Sequence, residues 1–164
     1  MTSDSYLFDE PRLFTVGALG EPGSRVFFLQ AHEQGTTVSV KCEKQQAEAL
    51  AEHLEGVLAD LPDVDPAEPP PLVEPLPPLS LEWVAGTMSI GWNEATERVV
   101  LDVEELVDEE SAMEDPAHLR LQLTPSQVAG YVEQARSLAS AGRPACRLCG
   151  QPIDPAGHAC PRLN

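Results

Sequence analysis

TVSVKCEKQQAEALAEHLEGVL, residues 37–58, and HLRLQLTPSQVAGYVEQARSLA, residues 118–139, are two versions of one pattern. Each begins with apolar residues in alternation, which is typical of a strand with one buried face. Each continues with apolar residues three and four positions apart, which is typical of a helix with one buried face. The stretches align at a constant offset of 81 positions, and this alignment pairs Gln46 with Gln127. The chain therefore contains two related strand-to-helix units.

Two further strands are predicted before each unit. They cover residues 13–19 and 25–31 in the first half of the chain, and residues 83–92 and 98–103 in the second half. The units themselves contribute strands 37–42 and 119–123 and helices 44–58 and 125–141. The order βββα thus occurs twice, which indicates an internal duplication. We predict an α+β fold in which two tandem βββα repeats form antiparallel sheet with two covering helices.

A proline-rich acidic linker divides the chain. We predict a first repeat over residues 1–60, the linker over 61–79, a second repeat over 80–142 and a tail over 143–164. The linker contains eight of the sixteen prolines, four acidic residues and no lysine or arginine. This composition is typical of an extended, polyproline-like spacer. A ligand for a proline-recognition domain is the alternative.

The tail contains four residues that are typical zinc ligands, Cys146, Cys149, His158 and Cys160. Three thiolates and one imidazole fill the tetrahedral coordination of Zn²⁺, which leaves no open position for catalysis. We therefore expect a structural zinc site. A redox pair or a disulfide at Cys146 and Cys149 is one alternative, and unligated side chains are another. Because helix 125–141 ends a few residues earlier, we expect the zinc site to lie near that helix end.

The charge of the chain limits its partners. The formal net charge is −17, which opposes general binding to nucleic acids and to anionic membranes. From Arg143 onward, three arginines face one acidic residue, so the tail alone is mildly basic. No run of residues has the apolar length of a membrane span, and no secretion signal is recognised at the N-terminus. We expect a cytoplasmic protein.

Several single residues have an ordinary structural interpretation. Cys42 lies on the apolar side of a strand and aligns with Leu123, so we predict a buried thiol and not a nucleophile. His53 lies off the apolar stripe of the first helix and is expected to face solvent. The acidic run 102–115 is expected to be a solvated loop. No nucleophile elbow, phosphate-binding loop or zinc-protease helix occurs in the sequence.

Two arginines offer a different hypothesis. Arg25 and Arg98 stand at the beginning of comparable predicted strands, so they could face one groove between the repeats and contact an anion. The stretch EPGS, residues 21–24, which precedes Arg25, also fits a tight reversing turn between two strands. The alternative for both arginines is a surface ion pair with nearby carboxylates.

The segments FTVGALGEPGSRVFFLQA, RLQLTPSQV and GRPACRLCGQPIDPAGHACPR resemble an actinobacterial family of about this size that is catalogued as a domain of unknown function. The resemblance covers nearly the whole chain. It implies a cytoplasmic bacterial protein whose relatives end in the same Cys/His cluster, and it implies no reaction. It also indicates a phosphatase-like protein and a lipid-kinase-like protein as functional partners.

Together these observations favour a noncatalytic protein-interaction or adaptor module that binds Zn²⁺. One alternative is an enzyme or small-ligand sensor that binds an anion between the repeats through Arg25 and Arg98. A second alternative is contact with nucleic acid through the basic tail, which carries Arg143, Arg147 and Arg162.

Overall fold

The protein is described from a computed structural model, which covers residues 3–21, 23–61, 71, 73–78, 80–110, 115–141 and 148. The described residues form seven strands and two helices. In chain order these are β1 Tyr6–Phe8, β2 Leu13–Leu19, β3 Val26–Glu33, β4 Thr36–Cys42, α1 Lys44–Asp60, β5 Ala85–Asn93, β6 Arg98–Glu105, β7 His118–Leu123 and α2 Pro125–Ala141.

The mixed α+β class is confirmed, and the predicted strands and helices are present with small shifts at their ends. Strands β2, β3 and β4 form one antiparallel sheet, and β5, β6 and β7 form the antiparallel part of a second sheet. Each set of three strands is followed directly by a helix. The sequence analysis missed β1, because three residues are too few to show an alternating pattern.

Short parallel pairings connect the two halves of the chain. Strand β1 belongs to the first half, but it pairs in parallel with β7 of the second half. In the same way, the residues just before β5 pair in parallel with β4. Trp83 O accepts from Lys41 N at 2.9 Å, and Glu82 N donates to Ser39 O at 2.8 Å. Each half thus extends the last strand of the other, so the halves do not form separate sheets side by side.

Gln46 and Gln127 fix the beginnings of the two helices in the same way. The side-chain oxygen of Gln46 accepts from Glu43 N at 2.8 Å, and that of Gln127 accepts from Thr124 N at 3.0 Å. These bonds satisfy backbone donors just before the first helical turn. Each amide nitrogen then donates to the opposite half, from Gln46 to Ala85 O at 3.1 Å and from Gln127 to Pro11 O at 2.6 Å.

One apolar core extends through both halves. The helices pack on each other and on one face of the sheets. Tyr131 of α2 is fully buried, stacks on Phe14 of β2 with a centroid distance of 4.9 Å, and donates to Ala47 O of α1 at 3.0 Å. Burial of this continuous apolar surface is the main stabilising contribution, because it removes side chains of both halves from water together.

The opposite, outer face of the first sheet is covered by the proline segment, which we define as Pro71 and residues 73–78. Three buried polar residues, Thr15, Gln30 and Ser39, form one cross-strand row on this face. Gln30 donates to Leu76 O and accepts from Leu76 N, both at 2.7 Å, and Thr15 Oγ1 donates to Val73 O. The described part of the predicted linker therefore also covers the sheet, which its composition did not predict.

The outer face of the second sheet differs. Along β6 and β7, side chains alternate between buried and partly exposed, as expected when one face meets the core and the other meets solvent. By cross-strand register, Ser89, Asp102 and Arg120 form the row that corresponds to Thr15, Gln30 and Ser39. Within the described residues, no segment covers this row in the way that the proline segment covers the first sheet.

Candidate functional site

The candidate site is a groove between α1 and the edge strand β5, here called the α1–β5 groove. Its volume is about 220 Å³, and it is lined by Gln46, Ala49, Leu50, His53, Gly86, Met88 and Ile90. Within the described chain, β5 pairs with no strand but β6, and Gln46 bonds to the carbonyls of Ala85 and Gly86 at its beginning; beyond Gly86 its other edge lies open to a further extended segment. An apolar groove beside such an edge suits an extended peptide.

The side chains of β5 explain the apolar wall. Met88, Ile90 and Trp92 alternate along the strand and lie on the core side, opposite the buried residues Val103, Leu101 and Val99 of β6. Met88 and Ile90 are nevertheless only half-buried, and Trp92 is 40% exposed. The groove therefore exposes side chains from a face that is buried elsewhere in the sheet.

The corresponding surface between α2 and β2 is filled. Phe14 has the same register position in the first sheet that Met88 has in the second. Across the middle strand, Phe14 is aligned with Val38 and Met88 with Leu119, and these two residues are 81 positions apart. Tyr131 stacks on Phe14 and closes the space. Gln134 of α2 donates to Val16 O at 3.3 Å and ties the helix to the strand.

His53 is exposed, as predicted. It occupies the α1 position that corresponds to Gln134 of α2, and it lines the α1–β5 groove beside Leu50. An exposed histidine at this position was expected from its place off the apolar stripe, but the sequence did not show that β5 would lie next to it. The alternation of Met88, Ile90 and Trp92 indicates a strand with one apolar face, but it does not show which helix that face meets.

Arg98 lies in a second, more polar groove of about 470 Å³. Its guanidinium donates to Gln122 O at 3.1 Å, and the groove is also lined by three carboxylates, those of Asp9, Glu10 and Glu33. Acidic side chains around an arginine oppose the binding of a free anion because they repel it. The anion contact of Arg98 and its ion-pair alternative both stay predictions, since the described partner of the guanidinium is the carbonyl of Gln122.

Arg25 lies away from this groove. It follows the turn in which Ser24 N donates to Glu21 O at 3.0 Å and Gly23 has a φ of 95°, which confirms the predicted reversing turn. Arg25 immediately precedes β3, whereas Glu33 of the Arg98 groove ends the same strand. An extended strand of this length separates its ends by roughly 25 Å. The register also aligns Arg98 with Val26 and not with Arg25.

Asp102, His118 and Arg120 form a charged cluster that the sequence analysis did not predict. His118 Nδ1 lies 3.1 Å from one carboxylate oxygen of Asp102, and Arg120 Nη2 lies 3.7 Å from the other. The imidazole and guanidinium are 39% and 57% exposed, on the open outer face of the second sheet. Without walls that exclude water, such a cluster contributes little to catalysis. The acidic run thus begins inside β6, not in a loop.

Cys42 is buried, as predicted. Burial raises the pKa of its thiol to about 12, with a smaller contribution from the charge of Glu43. Burial also raises the pKa of the neighbouring Tyr131 hydroxyl, with a smaller contribution from Cys42. Because the reactive form of cysteine is the thiolate, Cys42 is not a nucleophile at neutral pH.

The predicted zinc ligands Cys146, Cys149, His158 and Cys160 lie outside the described residues. Among the residues that are described, no group of three or more histidine, cysteine or acidic side chains is arranged to hold a metal ion. In that same part of the chain, no helix has the length and apolar character needed to cross a membrane.

Comparison with known proteins adds a family but no activity. A family model described as a protein of unknown function, DUF3090, matches residues 6–160, which include both βββα units, the linker and all four predicted zinc ligands. No curated protein and no solved structure matches the chain. Since the family match extends over nearly the whole sequence, the chain belongs to the DUF3090 family.

Proposed function

We propose that the protein is a noncatalytic, zinc-binding interaction protein of the cytoplasm, whose C-terminal tail recognises a protein partner. The donor set Cys146, Cys149, His158 and Cys160 supports this proposal most strongly, because three thiolates and one imidazole complete a closed structural Zn²⁺ site. Bound zinc would order a segment that is too short to have its own apolar core. The cluster of Asp102, His118 and Arg120 supports a binding role over catalysis, because it lies open to solvent, where such groups contribute little to a reaction.

Metal analysis of the full-length protein tests the zinc site. We expect about one zinc per chain, and a loss of nearly all of it in Cys149→Ser, because a three-ligand remnant binds much more weakly. Cys42→Ala is the matched control, since its thiol is buried in the core and not in the tail. Equal zinc content in Cys149→Ser and Cys42→Ala would contradict the proposal.

The partner is tested by binding measurements with purified proteins. The phosphatase-like and lipid-kinase-like proteins indicated by the family resemblance are the first candidates. Zinc-loaded protein should bind a true partner, and both chelation and Cys149→Ser should weaken that binding at least tenfold, while Cys42→Ala should not. A partner that binds equally well without zinc would show that the tail is not the recognition element.

We also infer that the two βββα units arose by internal duplication. The matched roles of Gln46 and Gln127, which each cap a helix and bond to the opposite half, support this inference more strongly than the element order does. The helices also end 81 positions apart, at Asp60 and Ala141. A shared origin accounts for the same side-chain contact occurring twice at one offset.

Equivalent substitutions test the matched roles. Gln46→Ala and Gln127→Ala should each lower the free energy of unfolding by about 1 kcal/mol, since each removes a capping bond and a bond to the other half. Urea denaturation measures both values. A loss confined to one of the two variants would show that the contacts are not equivalent. Gln45→Ala, at the neighbouring helix position, is the control and should change stability little.

A further inference from the structure

We propose that the C-terminal tail, residues 142–164, binds the α1–β5 groove through Pro152 and Ile153 and then crosses the outer face of the second sheet. This inference rests on the proposed duplication and not on zinc binding. The groove and the row formed by Ser89, Asp102 and Arg120 would together hold the tail on the body of the protein. The length and the charge of the tail support it as the occupant of the groove and of this row.

The first half of the molecule shows how such a segment binds. The proline segment follows α1, meets α2 at Gly130 and then crosses the outer face of the first sheet. A Cβ atom at Gly130 would lie 2.7 Å from Pro71 Cγ and 2.9 Å from Val73 Cγ1, so these side chains lie against the helix backbone. Beyond them, the backbone of Leu76 bonds to Gln30.

The α1–β5 groove is the counterpart of that meeting point. Ala49 of α1 lies 81 positions before Gly130, and it lines the groove. Beside the first sheet, Pro71 and Val73 cover α2 at Gly130, and Thr15 Oγ1 bonds to Val73 O. Beside the second sheet, Ala49 of α1 is exposed, and so is Ser89, which has the register position of Thr15.

The length of the tail fits the same path. Pro71 lies eleven positions after Asp60, the end of α1, and Pro152 lies eleven positions after Ala141, the end of α2. Both prolines are followed by a branched aliphatic residue, in the dipeptides Pro71-Leu72 and Pro152-Ile153. Since the helices are related by the offset of 81, a chain leaving α2 reaches Ala49 over the same number of residues that leads from α1 to Gly130.

Charge supports the same assignment. From residue 143 onward the tail carries three arginines and one aspartate, whereas the residues before it carry a net charge of −19. The polar row that would be crossed contains Asp102, in the position of Gln30. A mildly basic segment gains free energy on approaching this acidic body, and a second, acidic copy of the whole chain does not.

Photochemical cross-linking in the full-length, zinc-loaded protein tests the proposal. A benzoylphenylalanine replaces Ala49 in the groove, and in the control it replaces Glu52, which is exposed on α1 and does not line the groove. We expect an intramolecular link from position 49 to residues 150–156, at least ten times more abundant than from position 52. A predominant link to a second molecule, to residues 62–70, or to nothing would overturn the proposal.

A second probe position and a variant guard against local disturbance of the groove. Benzoylphenylalanine at Ser89 should link to residues 154–160, because this position lies on the polar row of the outer face. Ile153→Asp should reduce both links at least fivefold, whereas Leu163→Asp, outside the proposed contact, should not. Links that are unchanged in Ile153→Asp would contradict binding through Pro152 and Ile153.

Zinc content separates this proposal from the proposed function. One zinc per chain without the expected links would reject tail docking and leave the zinc site intact. Links that persist in Cys149→Ser after its zinc is lost would confirm that docking depends on the groove and not on the metal. If the links were lost in Cys149→Ser but kept in zinc-loaded wild-type protein, docking of the tail would require zinc. That result would reject the statement that docking does not depend on zinc binding.

Discussion

Strands β2–β4 of the first sheet and β5–β7 of the second have the same order, yet among the described residues only the first sheet is covered on both faces. Its outer row of Thr15, Gln30 and Ser39 is buried beneath the proline segment. The corresponding row of the second sheet, with Asp102 and Arg120, remains partly exposed. The difference shows that equal backbone architecture does not imply equal surfaces. The residues that would cover each sheet lie in the segments after the helices, and these segments have diverged in sequence.

The packing between helix and sheet also differs, since it is filled beneath α2 and open beside α1. Phe14 and Tyr131 fill the space between β2 and α2, and Phe14 is 1% exposed. Met88 and Leu50 occupy the corresponding positions between β5 and α1 and leave the groove between them. The aromatic rings of Phe14 and Tyr131 fill the first interface, whereas the smaller side chains of Met88 and Leu50 leave space in the second. Side-chain size therefore contributes to the opening of the groove.

The largest expected effect comes from breaking the filled interface. Phe14→Ala should lower the free energy of unfolding by about 3–5 kcal/mol, because it removes a buried ring and leaves a cavity beside Tyr131. Met88→Ala, the register-matched change in the groove, should cost about 1 kcal/mol, since the side chain is only half-buried. Chemical denaturation measures both. Similar losses in the two variants would contradict the contrast between the interfaces.

A medium effect is expected from the polar rows. Gln30→Ala should cost about 2–3 kcal/mol, since it leaves the backbone N–H and C=O of Leu76 without their partner. The proline segment should then be cleaved faster by proteases. Asp102→Ala removes a partly exposed charge cluster and should change stability by about 1 kcal/mol or less. If Asp102→Ala proved as costly as Gln30→Ala, the second row would be covered as firmly as the first.

The smallest expected effect concerns Gly130 of α2, which meets the proline segment, and Ala49, the corresponding position of α1. Gly130→Ala improves helix propensity by about 1 kcal/mol, but its Cβ would contact Pro71 and Val73 closely. We expect a net loss of about 0.5–1 kcal/mol and a displaced proline segment, detected as faster amide exchange around Val73. Ala49→Gly should also cost about 0.5–1 kcal/mol, through helix propensity alone and without such displacement. Net stabilisation by Gly130→Ala would show that the segment yields easily.

Local patterns predicted most of the secondary structure and few of the surfaces. Residues 13–19 and 125–141 were predicted with the bounds that the structure has, because apolar periodicity and turn residues are local signals. The buried state of Cys42 followed from the same alternation. The role of Gln30 was not predictable, since its partner Leu76 is 46 positions away in a segment with no periodic pattern.

The sequence by itself determined the order βββα and the offset of 81 between the two units, and it predicts a zinc site from the spacing of three cysteines and one histidine. These features depend on spacing along the chain, and spacing is visible in a sequence. Only the tertiary structure decided that β1 and residues 82–84 are exchanged between halves, that the proline segment covers one sheet and that a groove opens between α1 and β5. Those outcomes depend on how the side chains of distant residues pack together. Whether a side chain fills a space depends on the residues that it contacts, and a sequence does not show these contacts.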